Sequence, residues 1–280
     1  MRAIAAACGM VLALSGCGQI QVTTVSGSPE GPTIAIGVAV DEPGLGMWHD
    51  GTYEGFDVTV AKYVAARLGY ANKQIVFKQV RPETRQSMLD GGQVDMVVSS
   101  WPITEQSKTV VDFAGPYLTT GVGLLVRSRD RDAFADPQSA DHVANIGNHV
   151  VCAVKGDEVA GMFRAQHADA SIQERDSYAQ CVTALQAGSA DAIVSDLVLL
   201  HGLKQANGAR YSAVLKDSGT VRYGIAVSKG TEELAGKIAQ SLTDMIEHGS
   251  WSEAQAALQR QTGFAIRLGG SPAAIVSDDE

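Results

Sequence analysis

The sequence has no run of basic residues and no residue pattern typical of a catalytic centre. Its net charge of −9 over 280 residues argues against nucleic-acid binding, which requires a basic patch. No Ser/His/Asp or Cys/His arrangement stands out among the six histidines. No C-x-x-C pair is present, so no metal site or cofactor is predicted. The composition, 45% hydrophobic and 19% charged, is that of a globular chain long enough for two domains.

The apolar run at the N-terminus is too short to span a bilayer as a helix. It extends from Ala3 to Leu14, follows Arg2 and precedes Leu-Ser-Gly-Cys at 14–17. A charged start, a short apolar core and small residues before a cleavage point are typical of a secretory signal peptide, here residues 1–17. The last four residues also match the bacterial lipobox, so we expect Cys17 to carry a lipid anchor. The alternative is an ordinary signal peptide with an incidental cysteine.

Cysteine is scarce, and the four present divide into separate roles. Cys8 leaves with the signal peptide and Cys17 takes the lipid. Cys152, in an apolar strand, and Cys181, in a helix-like run, then remain as a pair in an oxidising compartment. We therefore predict a disulfide between strand and helix. Metal ligation by the two thiols is the alternative, without a nearby histidine to support it.

Strands alternate with helices through the first part of the chain. Residues 18–32 are polar and rich in Gly, Ser, Thr and Pro, which predicts a flexible tether. The alternation that follows predicts a parallel sheet. The predicted elements are strand 33–40, helix 57–68, strand 75–80, helix 82–90 and strand 94–98.

A second alternating set follows. Its predicted elements are strand 150–154, a helix from about 157 to 167, a strand at 172, helix 178–187 and strand 192–195. Apolar strands at 121–127 and 221–227 are predicted to cross between the two domains. Helices 232–248 and 251–261 should pack back on the first domain, and residues 271–280 are expected to be a frayed acidic tail.

The central stretch at 91–118 reads GGQVDMVVSSWPITEQSKTVVDFAGPYL. It resembles the family 3 extracellular solute-binding proteins, the amino-acid receptors of ABC importers, whose pattern is G-x-V-D, small or hydroxyl residues, I-T-x-x-R and V-D-F-x-x-P-Y. A second-domain D-A-x-x-x-D signature at 191–196 and a G-x-W turn at 249–251 also match. The resemblance extends over both domains.

The run DEPGLGMWHDGTYEGFDVTVAKYVAARLG at 41–69 is similar to the glutamate-binding branch of that family. Glu42 replaces the branch's glutamine and Thr59 its second aspartate. The resemblance implies the α/β type II periplasmic binding protein fold, with two lobes, two crossings and a ligand cleft between them. The expected lobe limits are 33–125 with 222–270 for the first lobe and 126–221 for the second.

The resemblance also indicates ligand-binding positions on both lobes. Ser99, Ser100 and Thr104 match contact positions at a strand end, although hydroxyls there also cap turns. Asp196 matches the acceptor of the ligand's α-ammonium, with helix capping as the alternative. Trp48 lies where relatives place an aromatic wall, and a partly buried packing role is the alternative.

Two departures from the family pattern affect the carboxylate clamp. Ser107 stands where the family has the arginine that binds the ligand's α-carboxylate. Asp157 and Glu158 stand where relatives have a serine or threonine. Three explanations remain: a cation from Arg85, Lys108 or Lys155 replaces the arginine; the ligand is neutral or cationic and Asp157, Glu158 and Asp196 receive its amines; or the cleft has lost ordinary ligand binding.

The expected function is that of a lipid-anchored, monomeric, extracellular protein that delivers a small polar solute to an ABC permease in the membrane. A glutamate-like or glutamine-like amino acid is the first candidate. A sensor for an amine or another non-standard ligand is the alternative. A more distant alternative is a periplasmic dehydratase on the same fold, with Glu158 as a general acid.

Overall fold

The computed structural model describes residues 29, 31–144, 146–147 and 149–276, and at residue 211 only the backbone. The predicted signal peptide, Cys17 and nearly all of the tether at 18–32 lie outside the described residues, as do the last four residues. Within the part that is described, no helix is long and apolar enough to cross a membrane.

The first part of the chain alternates as predicted, with one added hairpin sheet of short strands. Its strands are β1 (Ile34–Val38), β2 (Asp41–Glu42), β3 (Gly46–His49), β4 (Thr52–Glu54), β5 (Ile75–Gln79) and β6 (Met96–Pro102). Its helices are α1 (Phe56–Arg67), α2 (Arg85–Asp90) and α3 (Glu105–Lys108).

The remaining strands are β7 (Val111–Arg127), β8 (Ala135–Asp136), β9 (Ser139–Val143), β10 (Val150–Val154), β11 (Ser171–Arg175), β12 (Ala192–Asp196), β13 (Ser212–Ser228) and β14 (Ala273–Ile275). The helices are α4 (Arg131–Phe134), α5 (Glu158–Gln166), α6 (Tyr178–Ala187), α7 (Leu197–Ala206), α8 (Glu232–Glu247) and α9 (Ser250–Thr262).

Two long central strands connect the two halves of the molecule. The strand order is β11-β10-β12-β7-β13-β6-β1-β5, with β7 and β13 antiparallel along most of their length. The last part of β7 pairs with β12, whereas the last part of β13 pairs with β6. We call the half around β1, β5 and β6 lobe 1 and the half around β10, β11 and β12 lobe 2. The two predicted crossings are confirmed, and the exact lobe limits remain a prediction.

The last helices pack on lobe 1, as predicted. α8 and α9 contact α1, and the Trp251 indole N–H donates to the Tyr117 carbonyl at 2.8 Å. The predicted frayed tail at 271–280 contains a strand, because β14 pairs with β7 at Phe113–Gly115 and covers backbone groups that would otherwise form a sheet edge.

The strand predicted at 94–98 continues to Pro102, because β13 provides backbone partners for Trp101 and Pro102. The two serines predicted to follow the strand therefore lie within it. Ser100 has φ +40°, a left-handed conformation that is unusual outside glycine, and the pairing of β6 with β13 is irregular nearby. This local distortion positions Ser100 for the contacts described below.

The predicted disulfide between Cys152 and Cys181 is present, with a Cα–Cα distance of 5.6 Å. It joins β10 to α6 in the interior of lobe 2, where both cysteines are fully buried. Closing a loop of 29 residues stabilises the folded state by about 3–4 kcal/mol in the chain-entropy model.

Candidate functional site

The two lobes meet across a set of mostly buried polar side chains, which we call the interlobe cluster. Lobe 1 contributes residues from β2, α1, α2, β6 and β7. Lobe 2 contributes residues from the start of α5, from α6 and from β12. The members are Glu42, Asp57, Arg85, Ser99, Ser100, Trp101, Tyr117, Asp157, Glu158, Tyr178, Ser195 and Asp196.

Arg85 forms an ion pair with Glu158 across the lobes. Its guanidinium lies over the Trp101 ring at 4.3 Å, and Nη1 donates to the Ser99 carbonyl at 3.2 Å. The second carboxylate oxygen of Glu158 accepts from the Trp101 indole N–H at 2.9 Å. Burial raises the pKa of Glu158, whereas the Arg85 charge opposes that rise. The charge on Arg85 is thus already neutralised by the protein itself, although its Nε has no hydrogen-bond partner among the described residues.

Two carboxyl groups of lobe 1 share Ser100. The Ser100 hydroxyl donates to Glu42 at 2.6 Å, and its backbone N–H donates to Asp57 at 3.0 Å. The Tyr117 hydroxyl donates to the other oxygen of Asp57 at 3.0 Å. Burial raises the pKa of Asp57 to about 7 against these hydrogen bonds. Burial and then the charge of Asp57 raise the pKa of Glu42 well above its ordinary value.

Asp157 combines a structural role with a position in the cluster. It caps the N-terminus of α5, where one of its oxygens accepts from the Val159 N–H at 2.9 Å. The other oxygen accepts from the Tyr178 hydroxyl at 2.8 Å and from the Ser195 hydroxyl at 3.3 Å. Burial raises the pKa of Asp157 despite these contacts.

Asp196 ends β12 and caps α7 with only one of its oxygens. Oδ1 accepts from the N–H groups of Val198 and Leu199, at 2.9 and 3.1 Å. Oδ2 is buried and has no well-aligned partner among the described residues, although Tyr223 lies close to this carboxyl group. Burial raises the pKa of Asp196 to about 6, against the opposing effects of Tyr223 and the helix amides. The capping role and the predicted acceptor role are therefore compatible.

Two predicted binding residues do not join the cluster. The Thr104 hydroxyl caps α3 by accepting from the Ser107 N–H at 2.9 Å, and Ser107 is buried in that local network. Trp48 is 47% exposed and packs against Tyr53 with ring centroids 4.6 Å apart. Binding roles for Thr104 and Trp48 stay predictions.

The other two basic residues suggested as replacements for the missing arginine pair elsewhere. Lys108 pairs with Glu105 at 2.7 Å, and Lys155 pairs with Asp176 at 2.6 Å. Arg85 is thus the suggested cation that the structure places in the cluster.

Sequence reasoning missed several cluster members. Trp101 packs against Phe113, as a core residue would, and its indole N–H also donates to Glu158. Asp57 ties α1 to β6 and β7. Glu42 and Tyr178 were not predicted. The sequence signal that could have identified Glu42 as a cluster member is its replacement of the family glutamine.

The lobes touch closely at two glycines. A Cβ atom on Gly202 of α7 would lie 1.9 Å from the Pro43 carbonyl oxygen, and one on Gly156 would lie 2.7 Å from the Glu83 nitrogen. The Tyr178 N–H also donates to Asp41 across the lobes at 2.9 Å. Glycine is therefore required at both positions for the lobes to approach this far.

Residues 34–258 match the family described as bacterial extracellular solute-binding proteins, family 3. The chain is 34% identical over 233 residues to the ABC transporter glutamine-binding protein GlnH of Bacillus subtilis, covering 82% of each protein. It is 29% identical over 232 residues to the glutamate-binding protein GluB of Corynebacterium efficiens, covering 79% of this chain and 77% of that protein.

The solved structure of the cysteine-binding protein from Campylobacter jejuni aligns with a TM-score of 0.75 at 20% identity, covering 88% of this chain and 96% of that one. This similarity in fold confirms the predicted two-lobed type II architecture. Taken with the family match over 34–258, it identifies the chain as a member of the bacterial extracellular solute-binding proteins of family 3.

Proposed function

We infer that the chain is the extracellular solute-binding component of an ABC importer, and that it captures a small solute bearing an ammonium group between its lobes. The solute belongs to the amino acids or to amines related to them. The observation that carries this proposal is the buried Asp196 in a cluster shared by both lobes, whose Oδ2 accepts no well-aligned hydrogen bond from the described residues although Tyr223 lies close to it. A carboxylate suits an ammonium ligand because charge-assisted hydrogen bonds are shorter and stronger than neutral ones.

Several further features support a transport role. Relatives named for glutamine and glutamate binding match along most of the chain. The partner would be a membrane permease, and a lipid on Cys17 would hold the protein at the outer face of the membrane. Binding is favoured over catalysis, because both oxygens of Glu158, the suggested general acid, are engaged by Arg85 and Trp101.

The test of this proposal is thermal unfolding of the purified protein against amino acids, amines, betaines and sugars. A solute that binds only the folded state stabilises it by about 2.7 kcal/mol at about one hundred times its Kd. A shift with amino acids or amines, and none with sugars or betaines, is the expected result. The absence of a shift with every amino acid and amine would contradict the proposal.

Capture between the lobes further requires that they close on the solute, and Gly202→Ala tests this step. Alanine is favoured over glycine inside a helix by about 1 kcal/mol, so α7 should remain intact. The added methyl group would collide with the Pro43 carbonyl and hold the lobes apart. Calorimetric titration should show an affinity reduced by about tenfold or more, because closure must be favoured by the bound solute.

Gly161→Ala is the matched control, since Gly161 lies in α5 of the same lobe and a Cβ there would meet nothing within 4 Å. It should bind as the wild type does. Wild-type affinity in Gly202→Ala would contradict closure at this contact.

A further inference from the structure

We propose that the cleft selects a cationic amine without a carboxylate group, because Glu158 occupies on Arg85 the place that a ligand carboxylate would need. The proposal rests on the proposed function and specifies its solute class.

The buried positive charge in the cleft comes from Arg85. Among the described residues, Arg85 is the only basic residue that is buried, with 2% of its surface exposed. Its charge is paired with Glu158, which is held in turn by the Trp101 indole. A ligand carboxylate could take the ion-pair position on this cation only by displacing Glu158, which would then be left as an unpaired, largely buried charge. The Nε–H of Arg85, which has no hydrogen-bond partner among the described residues, can donate to a neutral acceptor on the solute without a further negative charge entering the cleft.

The interlobe cluster contains more acidic than basic side chains. Glu42, Asp57, Asp157 and Asp196 lie in the same cluster as Glu158, and their hydrogen bonds come from hydroxyl groups and backbone amides. The cluster therefore contains five carboxyl groups and one guanidinium. The negative charge of Asp196 contributes to the raised pKa values of Glu42 and Asp57 in the other lobe. A bound cation would relieve this repulsion, whereas a further carboxylate would increase it.

The hydrogen bonding of Asp196 also favours an ammonium solute, independently of the number of charges. Asp196 Oδ2 is fully buried and lacks a well-aligned donor among the described residues. The Tyr223 hydroxyl lies close to this carboxyl group but makes no well-aligned hydrogen bond to Oδ2, so the acceptor can take a donor from the solute. An ammonium group supplies both the donor and the positive charge.

The experiment compares amines with their carboxylated counterparts by calorimetric titration of the purified protein near neutral pH. The pairs are agmatine with arginine, putrescine with ornithine and histamine with histidine, whose members differ only in the α-carboxylate. We expect the amine of at least one pair to bind about tenfold or more tightly than its amino acid. Tighter binding of the amino acid wherever a pair binds would overturn this inference and leave the proposed function intact. Binding of no amine and no amino acid would overturn both.

Glu158→Gln tests the residue held responsible. The amide retains the shape and can still accept from Trp101, but it leaves Arg85 with an unpaired charge. The preference should move toward the carboxylated member by about tenfold or more. The control is Glu174→Gln, the same change on an exposed residue of lobe 2 that pairs with Arg164 at 3.5 Å. An unchanged preference in Glu158→Gln would overturn the role of Glu158, and the wild-type comparison stands even if this variant does not fold.

Discussion

Replacing Asp196 with asparagine is expected to weaken solute binding by about a hundredfold or more while leaving the protein folded. Truncating one partner of a buried, hydrogen-bonded charge pair costs about 2–5 kcal/mol. Asparagine is as good an N-cap as aspartate, so its Oδ1 can keep the bonds from Val198 and Leu199 that start α7. The amide group then stands where Oδ2 was and offers a donor to an ammonium group, which is itself a donor.

Calorimetric titration of the Asp196→Asn variant with the solute identified by thermal unfolding provides the measurement. Asp132→Asn is the control. It removes the same charge from lobe 2, at a side chain that is 97% exposed. Wild-type affinity in Asp196→Asn would mean that Asp196 serves only as a helix cap.

The second large effect concerns stability without a solute. The free energy of unfolding is expected to rise as the pH is lowered from about 7 to about 5. Burial raises the folded-state pKa of Asp57 to about 7 and that of Asp196 to about 6, from an ordinary value of 3.8. Between the unfolded and folded pKa values the folded protein binds more protons than the unfolded chain, so stability falls as the pH rises through this window. The contribution of Asp57 and Asp196 that is lost is on the order of 4 kcal/mol. Burial lowers the pKa of His201 to about 4, so His201 acts in the opposite direction between about pH 4 and pH 6.5 and makes the net change smaller.

Other carboxylates oppose this trend only at lower pH. The pKa values of Asp176 and Asp191 are lowered in the folded protein, although burial opposes the shift in Asp191. Their stabilising contributions are present above the ordinary pKa and are lost as the pH falls below about 4. The solute-free protein is therefore expected to be more stable near pH 5 than near pH 7, and to lose stability again below about pH 4. A stability that rises steadily toward pH 7 would contradict the charge crowding in the cluster.

Glu42→Gln tests whether the pH dependence of stability originates in the interlobe cluster. The glutamine oxygen can still accept from the Ser100 hydroxyl, but the side chain no longer carries a charge that burial and Asp57 disfavour. Urea unfolding near pH 7 should show a gain of about 1–3 kcal/mol and a weaker dependence on pH. Glu54→Gln, on the exposed strand β4, should change neither quantity. A destabilised Glu42→Gln would mean that the charged form of Glu42 is favoured in the folded protein.

Local signals in the sequence were sufficient for most of the fold. The apolar spacing over 178–187 predicted α6 with the bounds observed, and the alternation of strands and helices predicted both lobes. Strand ends were less predictable, because the extension of β6 and the existence of β14 depend on backbone partners from distant strands. Such pairing is a property of the folded chain and has no local sequence signal.

The cluster could be predicted only in part, for a related reason. Ser100 lies near the end of a strand, and Asp157 and Asp196 cap helices that follow strands, so their positions at the cleft followed from element order. The pairing of Arg85 with Glu158 joins residues 73 positions apart and exists only where the lobes meet. The sequence indicated that the carboxylate clamp was altered, whereas the partner that now neutralises Arg85 became visible only in three dimensions.

The most direct test of the account is the proton change on binding, measured near pH 6.5 by titrating the tightest-binding solute in buffers of different ionisation enthalpy. A cation among carboxyl groups with raised pKa values lowers those values, so the account predicts a net release of protons. An anionic solute would raise those pKa values further. Net proton uptake, or no proton change at all, would contradict a cationic solute held by the buried carboxyl groups between the lobes.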